Sequence, residues 1–101
     1  MEIKNENNFN EIINSEYALI DFYATWCGPC KMLAPILDNL ASSRDNIKIA
    51  KVDVDKYEDL ARKYGVMSIP TLILFKNGQI VDKKIGFVAE KLLTDWINEN
   101  R

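Results

Sequence analysis

The chain has 101 residues, 48% of them hydrophobic, and its 13 basic and 15 acidic side chains give a net charge of -2. This length suits one domain, residues 1–101, with enough apolar side chains for a core that needs no metal ion or covalent cross-link. The charge balance argues against nucleic acid or an anionic membrane as the main partner, because both attract basic patches. No apolar run approaches the ~20 residues that span a bilayer, and the polar segment 1–10 has no signal-peptide core.

The first predicted element is a short helix near the N-terminus. Three apolar residues there recur at helical spacing: Phe9, Ile12 and Ile13. Asn7 or Asn8 is expected to cap this helix, since asparagine is a favoured N-cap residue. The segment 17–24 follows as a nearly continuous apolar run, which is typical of a strand buried on both faces.

A long amphipathic helix is predicted next, with a second strand behind it. Apolar residues recur every three to four positions at Met32, Leu33, Ile36, Leu37 and Leu40. Pro35 lies inside this pattern and is expected to kink the helix. The segment 47–54 alternates apolar and polar residues, so it predicts a strand that pairs in parallel with the first through a right-handed crossover.

The second half of the chain predicts a helix, a hairpin and a final helix. The segment 57–64 is a short helix stopped by Gly65, and 71–75 is a β-rich apolar strand. Asn77–Gly78 is a strong two-residue hairpin signal, after which 79–85 returns as an antiparallel strand. The last helix is marked by apolar residues that are expected in the core: Leu92, Leu93, Trp96 and Ile97. Together these elements predict an α/β fold, a central mixed sheet flanked by helices on both faces in three layers.

The run Trp26–Cys30, with the sequence WCGPC, contains the only two cysteines of the chain. Two thiols separated by two residues can close a disulfide across one helical turn, and a pair that opens a helix after a strand is typical of a dithiol redox site. Cys27 is the candidate nucleophile, because the helix start favours its thiolate, and Cys30 is the candidate resolving thiol. Gly28 allows a substrate backbone to approach closely, and Pro29 fixes φ in the first helical turn.

Two other interpretations of the cysteines are a zinc site and a pair of inert buried thiols. Zinc usually takes four ligands, and the chain has neither a histidine nor a third cysteine, which leaves a cluster shared between two chains open. So few cysteines behind a Met1 start indicate a reducing cytoplasm, where a disulfide is more often catalytic than structural. This context favours the redox interpretation, with no metal.

The segment 21–31, DFYATWCGPCK, closely resembles the thioredoxin family. Further matching motifs follow in order and at family spacing over essentially the whole chain: Pro35, 51–53, 64–66, 68–71, 75–78 and Gly86. The resemblance implies a thioredoxin-like fold and a thiol–disulfide oxidoreductase that reduces protein disulfides. It implies no bound cofactor beyond a redox-active Cys27–Cys30 disulfide. The implied partners are thioredoxin reductase as electron donor and disulfide-containing client proteins, and we expect a cytoplasmic monomer.

The resemblance also assigns roles to residues behind the cysteines. Asp21 matches a buried carboxylate, and desolvation would raise its pKa so that it can act as the base for Cys30. Lys51 matches a lysine whose chain lies near that carboxylate and moderates its charge. Without the resemblance, Asp21 fits an exposed strand-end aspartate and Lys51 a solvated strand residue, so both alternatives stay open.

A substrate groove is implied beside the cysteines. Pro70 matches a family proline whose preceding bond, Ile69–Pro70, is cis, in a loop that faces Cys27. Ile69 would offer its backbone to an extended substrate segment. The groove is expected to be rimmed by a small apolar set: Trp26, Met67, Ile69 and Gly86.

Tyr23 departs from the family pattern, since many members carry a second tryptophan there.

Two competing functions remain at this stage. A dithiol oxidase or disulfide isomerase could use the same fold, although it would fit better with a histidine between the cysteines and with a secretory signal. A redox-independent binding subunit of a larger complex would use the surface and not the thiols. A variant without both thiols discriminates the last function from the redox functions.

Overall fold

A computed structural model describes residues 1–43 and 46–101 of the chain. Within these ranges helices and strands follow in the order α1 (Glu6–Ile13), β1 (Ala18–Tyr23), α2 (Gly28–Ser43), β2 (Lys48–Asp53), α3 (Glu58–Lys63), β3 (Thr71–Lys76), β4 (Gln79–Ile85) and α4 (Glu90–Glu99). Every predicted element is therefore present, with ends that differ by one or a few residues. None of the helices in the described ranges is both long and apolar enough to cross a membrane.

The strands form one mixed sheet in the order β2-β1-β3-β4. β1 pairs in parallel with β2 and antiparallel with β3, and β3 pairs antiparallel with β4. The predicted parallel unit and the predicted hairpin are both confirmed. At the tip of the hairpin, Asn77 and Gly78 have φ values of 51° and 86°, the left-handed conformations that a tight two-residue loop requires.

The two faces of the sheet pack against different helices, because successive side chains of a strand point to opposite sides. Ile20 of β1 belongs to a core cluster with residues of α1 and α3, whereas Leu19 belongs to one with residues of α2 and α4. The fold thus has three layers, with helices on both faces of the sheet, as predicted. Odd-numbered positions of β1 lie on the face that α2 covers.

Two expectations about residues of α1 and α4 were wrong. Asn5 caps α1 instead of Asn7 or Asn8, because the Asn5 side chain accepts a 2.8 Å hydrogen bond from the Asn8 amide. Leu92 is not a core residue, since 63% of its surface is exposed while Leu93 is fully buried. Adjacent helical residues point about 100° apart, and the buried face of α4 runs through Leu93, Trp96 and Ile97, so Leu92 falls outside it.

Helix α2 departs from the expected pattern in one position. Its buried stripe consists of Leu33, Leu37 and Leu40, whereas Met32 is 60% exposed on the adjacent surface. The helix runs from Gly28 to Ser43 and continues through Pro35. Cys30 precedes Leu33 by three residues and therefore extends the same buried stripe toward the helix start.

Candidate active site

The two cysteines lie in the connection between β1 and α2, and they are joined by a disulfide. Cys27 directly precedes Gly28, the first residue of α2, and Cys30 lies in the first turn. Their Cα atoms are 5.2 Å apart, and both side chains are buried. The backbone amide of Cys30 points at the Cys27 sulfur, with 3.2 Å between N and Sγ. The start of α2 therefore directs a backbone N–H donor at this sulfur.

The two residues between the cysteines form the outer surface of this turn. A Cβ atom added to Gly28 would meet no other atom within 4 Å, so the space above this backbone is open. Pro29 is the second residue of α2, where an amide would have no partner within the helix. The open space at Gly28 leaves room for a substrate backbone, and the roles of Gly28 and Pro29 remain predictions.

Asp21 is the buried carboxylate predicted from the family resemblance. Its side chain has no solvent exposure, and its position on β1 is on the face covered by α2, the helix that carries Cys30. Neither carboxylate oxygen has a hydrogen-bond partner among the described residues. Burial raises the pKa of Asp21 from 3.8 to about 7, while Lys51 opposes the rise and Glu2 adds to it. The exposed strand-end alternative is therefore wrong.

Lys51 lies beside Asp21 and is largely withdrawn from solvent. The two residues are direct partners in the parallel pairing of β1 and β2, so their side chains leave the sheet on the same face. Only 22% of the Lys51 side chain is exposed, and its Nζ lies 4.4 Å from the centre of the Tyr23 ring. The low exposure of the Lys51 side chain therefore disagrees with the alternative of a solvated strand residue, and its role in moderating the Asp21 charge remains a prediction.

The loop before β3 also contacts the cysteines. The Ile69–Pro70 bond is cis, and the Ile69 carbonyl oxygen lies 4.0 Å from the Cys27 sulfur. The Gly86 amide donates a 2.8 Å hydrogen bond to the Pro70 carbonyl, and Gly86 has a φ of 95°, which favours glycine. Ile69, Pro70 and Gly86 are thus linked in one cluster beside Cys27.

Trp26 and Met67 are the exposed members of the predicted groove. Trp26 is 68% exposed and Met67 is 95% exposed, which is a large solvent-facing fraction for apolar side chains. Trp26 directly precedes Cys27 in the chain, and exposed apolar surface of this kind is suited to contact an apolar substrate segment. The described contacts link Trp26 to Asp55 and do not join Trp26 or Met67 to Ile69, so the groove as a continuous surface remains a prediction.

Two acidic residues near the site were missed at the level of sequence. Asp55 accepts a 2.9 Å hydrogen bond from the Trp26 indole nitrogen, and Glu2 accepts one of 2.7 Å from the Tyr23 hydroxyl. Both contacts join residues that are more than twenty positions apart, and no local motif or periodicity marks them. In the part of the chain that the structure describes, no three cysteine or acidic side chains are grouped closely enough to hold a metal ion.

Comparison with known proteins agrees with this geometry. The sequence model of the Thioredoxin family matches residues 1–99. A thioredoxin from Staphylococcus haemolyticus is 49% identical over 96 residues, covering 94% of this chain and 92% of the relative. A thioredoxin from Bacillus subtilis is 43% identical with the same coverage.

Solved structures show the same relationship. A mutant thioredoxin from Halobacterium salinarum has a TM-score of 0.92 at 37% identity, covering 99% of this chain and 88% of that one. Plasmodium falciparum thioredoxin has a TM-score of 0.90 at 32% identity, covering 99% of this chain and 98% of that one. The chain therefore belongs to the thioredoxin family and is a thiol–disulfide oxidoreductase whose redox-active pair is Cys27 and Cys30.

Proposed function

We propose that this oxidoreductase works as a reductant of protein disulfides, with Cys27 as the nucleophile and Cys30 as the resolving thiol. The observation that carries this order is the 3.2 Å contact between the Cys30 amide and the Cys27 sulfur at the start of α2. An N–H donor and the positive end of a helix favour a thiolate over a thiol. Only the thiolate attacks a disulfide, so the sulfur that receives this contact is the one to react first.

The proposed reaction has two exchange steps. The Cys27 thiolate attacks one sulfur of the client disulfide, so a mixed disulfide forms and the other client sulfur leaves as a thiolate. Cys30 then loses its proton and attacks the Cys27 sulfur, which forms the Cys27–Cys30 bond and releases the second client thiolate. Two electrons pass from the dithiol to the client, and the protein ends in the disulfide form described here.

Asp21 is proposed as the base for the second step. It lies beneath the helix that carries Cys30, has no hydrogen-bond partner among the described residues, and has its pKa raised by burial to about 7. A base of this pKa is half ionised near neutral pH, where it can accept a proton and later release it. Lys51 is proposed to tune this group, because its charge favours the ionised carboxylate.

Client binding is proposed to use the backbone around the cis proline together with exposed apolar side chains. The Ile69 carbonyl lies beside Cys27, so an extended client segment can pair with this backbone while its disulfide reaches the sulfur. Trp26, Met67 and Gly86 are proposed to contact the flanking client residues. Backbone recognition of this kind reads little sequence and suits many clients.

The remaining features of the proposal concern partners and setting. We place the protein in the cytoplasm as a monomer, with residues 1–101 as one domain, which the family match over residues 1–99 supports. A thioredoxin reductase is proposed to return the two electrons to the Cys27–Cys30 disulfide. Neither nucleic acid nor a membrane is proposed as a partner, in line with the net charge of -2.

Catalysed reduction of insulin disulfides, driven by a small dithiol, tests the proposed activity. The wild-type chain is expected to turn over rapidly, and Cys27→Ser is expected to lose this turnover. An inactive but folded wild-type chain would contradict the reductant role and favour a redox-independent binding subunit. A Cys27→Ser variant with full activity would contradict the assignment of the nucleophile.

Single-turnover kinetics test the base. Asp21→Asn is expected to slow resolution of the Cys27 mixed disulfide near neutral pH more than it slows the initial attack, because only the second step needs the proton removed from Cys30. Equal slowing of both steps would remove the general-base role from Asp21. The exchange chemistry of the two cysteines would still stand in that case.

A further inference from the structure

The N-terminal segment 1–3 lies along the outer side of β2. Lys51 donates its amide to the Met1 carbonyl at 2.7 Å, and Ile3 donates its amide to the Lys51 carbonyl at 3.1 Å. Glu2 is thereby the parallel bridge partner of Lys51. Ile3 packs into the core on the α1 side of the sheet, so Glu2, its neighbour, is directed to the α2 side, where Asp21 and Lys51 lie.

The Glu2 carboxylate contacts two residues that surround Asp21. It accepts a 2.7 Å hydrogen bond from the Tyr23 hydroxyl and lies 4.0 Å from the Lys51 ammonium. The same ammonium lies 4.4 Å from the centre of the Tyr23 ring, so Glu2, Tyr23 and Lys51 form a closed triangle of contacts. Lys51 is the cross-strand partner of Asp21, and Tyr23 follows Asp21 by two positions on the same face of β1.

We propose that Glu2 is a positioning residue for the redox reaction. It contacts Lys51, shares the positive charge of Lys51 with Asp21, and so controls the protonation of Asp21. The triangle gives the Lys51 ammonium a second carboxylate partner besides Asp21. This inference rests on the proposed role of Asp21 as the base that deprotonates Cys30.

The direction of the effect follows from the signs of the charges. Burial disfavours the ionised form of Asp21, the positive charge of Lys51 favours it, and the negative charge of Glu2 disfavours it. Glu2 therefore keeps the pKa of Asp21 higher than burial and Lys51 alone would leave it. A carboxylate that stays protonated until near neutral pH can return its proton to Cys30 when the disulfide is reduced again.

The groups that face Asp21 from the packed elements are few. β2 contributes Lys51, the N-terminal segment contributes Glu2, β1 itself contributes Tyr23, and β3 contributes the uncharged partner Leu72. Helix α2, which covers this face, carries Cys30 in its first turn. Asp53 acts on Tyr23 and is not among the charges that shift Asp21. Burial and the hydrogen bond to Glu2 raise the pKa of Tyr23, so it remains a neutral donor throughout the relevant pH range.

NMR titration of the Asp21 side-chain carboxyl carbon in the oxidised, full-length chain tests the proposal directly. Glu2→Gln removes the charge but keeps an oxygen that can accept the Tyr23 hydrogen bond. Its Asp21 midpoint is expected to move to lower pH than in the wild type. Glu11→Gln is the matched control, because it removes the same charge from an exposed site that is not among those acting on Asp21. An unchanged or higher midpoint in Glu2→Gln, or an equal shift in both variants, would overturn the proposal.

A second variant and a kinetic readout separate this inference from the proposed base. Tyr23→Phe removes only the hydroxyl that fixes Glu2, so a smaller shift in the same direction is expected. The pH profile of mixed-disulfide resolution is expected to move to lower pH in Glu2→Gln. Asp21→Asn and the double variant Asp21→Asn with Glu2→Gln are expected to have the same profile as each other, because Glu2 acts only through Asp21. If Asp21→Asn leaves the wild-type profile unchanged, the base role fails. If Asp21→Asn alters it and Glu2→Gln does not, the role of Glu2 fails.

Discussion

Asp21 and Lys51 stand opposite each other on the parallel strands β1 and β2, a buried acid beside a largely buried base. No hydrogen bond joins them among the described contacts, and the carboxylate oxygens have no partner there. Burial therefore has a larger effect on Asp21 than the neighbouring charge, and its pKa rises to about 7. A group held in this way makes the stability of the fold fall as pH rises through one defined range.

The first prediction concerns that range. The unfolded aspartate ionises near 3.8 and the folded one near 7, so between these values the folded state keeps a proton that the unfolded state has lost. Stability therefore falls as pH rises through this window and is lowest, for this group, above about 7. The free energy of unfolding of oxidised Asp21→Asn, minus that of wild type, is expected to rise by about 4 kcal/mol across the window.

Denaturant unfolding at a series of pH values measures this difference. Subtracting wild type from the variant cancels the other carboxylates, which titrate in both chains. A difference that stays constant with pH would show that Asp21 is ionised in the folded state already at low pH. Its placement as a neutral-pH base would then be wrong.

The second prediction concerns Lys51. Lys51→Met keeps the long apolar stem and removes the charge that favours the Asp21 carboxylate, so the pKa of Asp21 is expected to rise above about 7. Resolution of mixed disulfides at neutral pH is expected to slow, with the rate recovered at higher pH. Lys48→Met on the same strand is the control, because Lys48 is exposed and does not act on Asp21.

NMR titration and single-turnover kinetics are the two measurements for this pair of variants. A downward shift of the Asp21 midpoint in Lys51→Met would contradict the sign of the interaction. Parallel shifts in Lys48→Met would mean that general surface charge, and not the paired lysine, tunes the site.

The third prediction follows from the order of the two thiols. Cys30→Ser leaves Cys27 at the helix start but removes the sulfur that resolves the mixed disulfide, so client proteins are expected to accumulate as adducts on Cys27. Mass spectrometry of adducts captured from a reducing lysate measures this, with Cys27→Ser as the matched control. Adducts that form on Cys30 in Cys27→Ser, and none in Cys30→Ser, would reverse the assignment.

The elements of this fold could be predicted from sequence because each one is marked by residues close together in the chain. The apolar run through β1, the stripe of Leu33, Leu37 and Leu40, and the Asn77–Gly78 turn are all local signals. The start of α1 was less predictable, since Asn5, Asn7 and Asn8 are all suitable cap residues, and it is Asn5 that caps the helix. Local patterns give the type of an element more reliably than its first residue.

The site was predictable only in part, for a related reason. The cysteines lie in one short motif, whereas the burial of Asp21 is a property of the assembled sheet and helix, and it was expected only from the family resemblance. Glu2 and Asp55 could not be found, because a polar contact between distant residues leaves no period and no motif. Such contacts arise only when the N-terminal segment and the turn after β2 reach the site.

The last prediction compares two adjacent leucines of α4 that the sequence could not distinguish. Leu93 is fully buried in the core cluster beneath α2, and Leu92 is 63% exposed. Leu93→Ala leaves a cavity where the surrounding side chains relax only partly, so it is expected to lower the free energy of unfolding by about 2–5 kcal/mol. Leu92→Ala removes the same atoms from a site already in contact with water and is expected to change it by less than about 1 kcal/mol. Equilibrium unfolding in urea, with the slope compared between variants, measures both values. Similar losses in the two variants would mean that α4 does not present the Leu93, Trp96 and Ile97 face to the sheet.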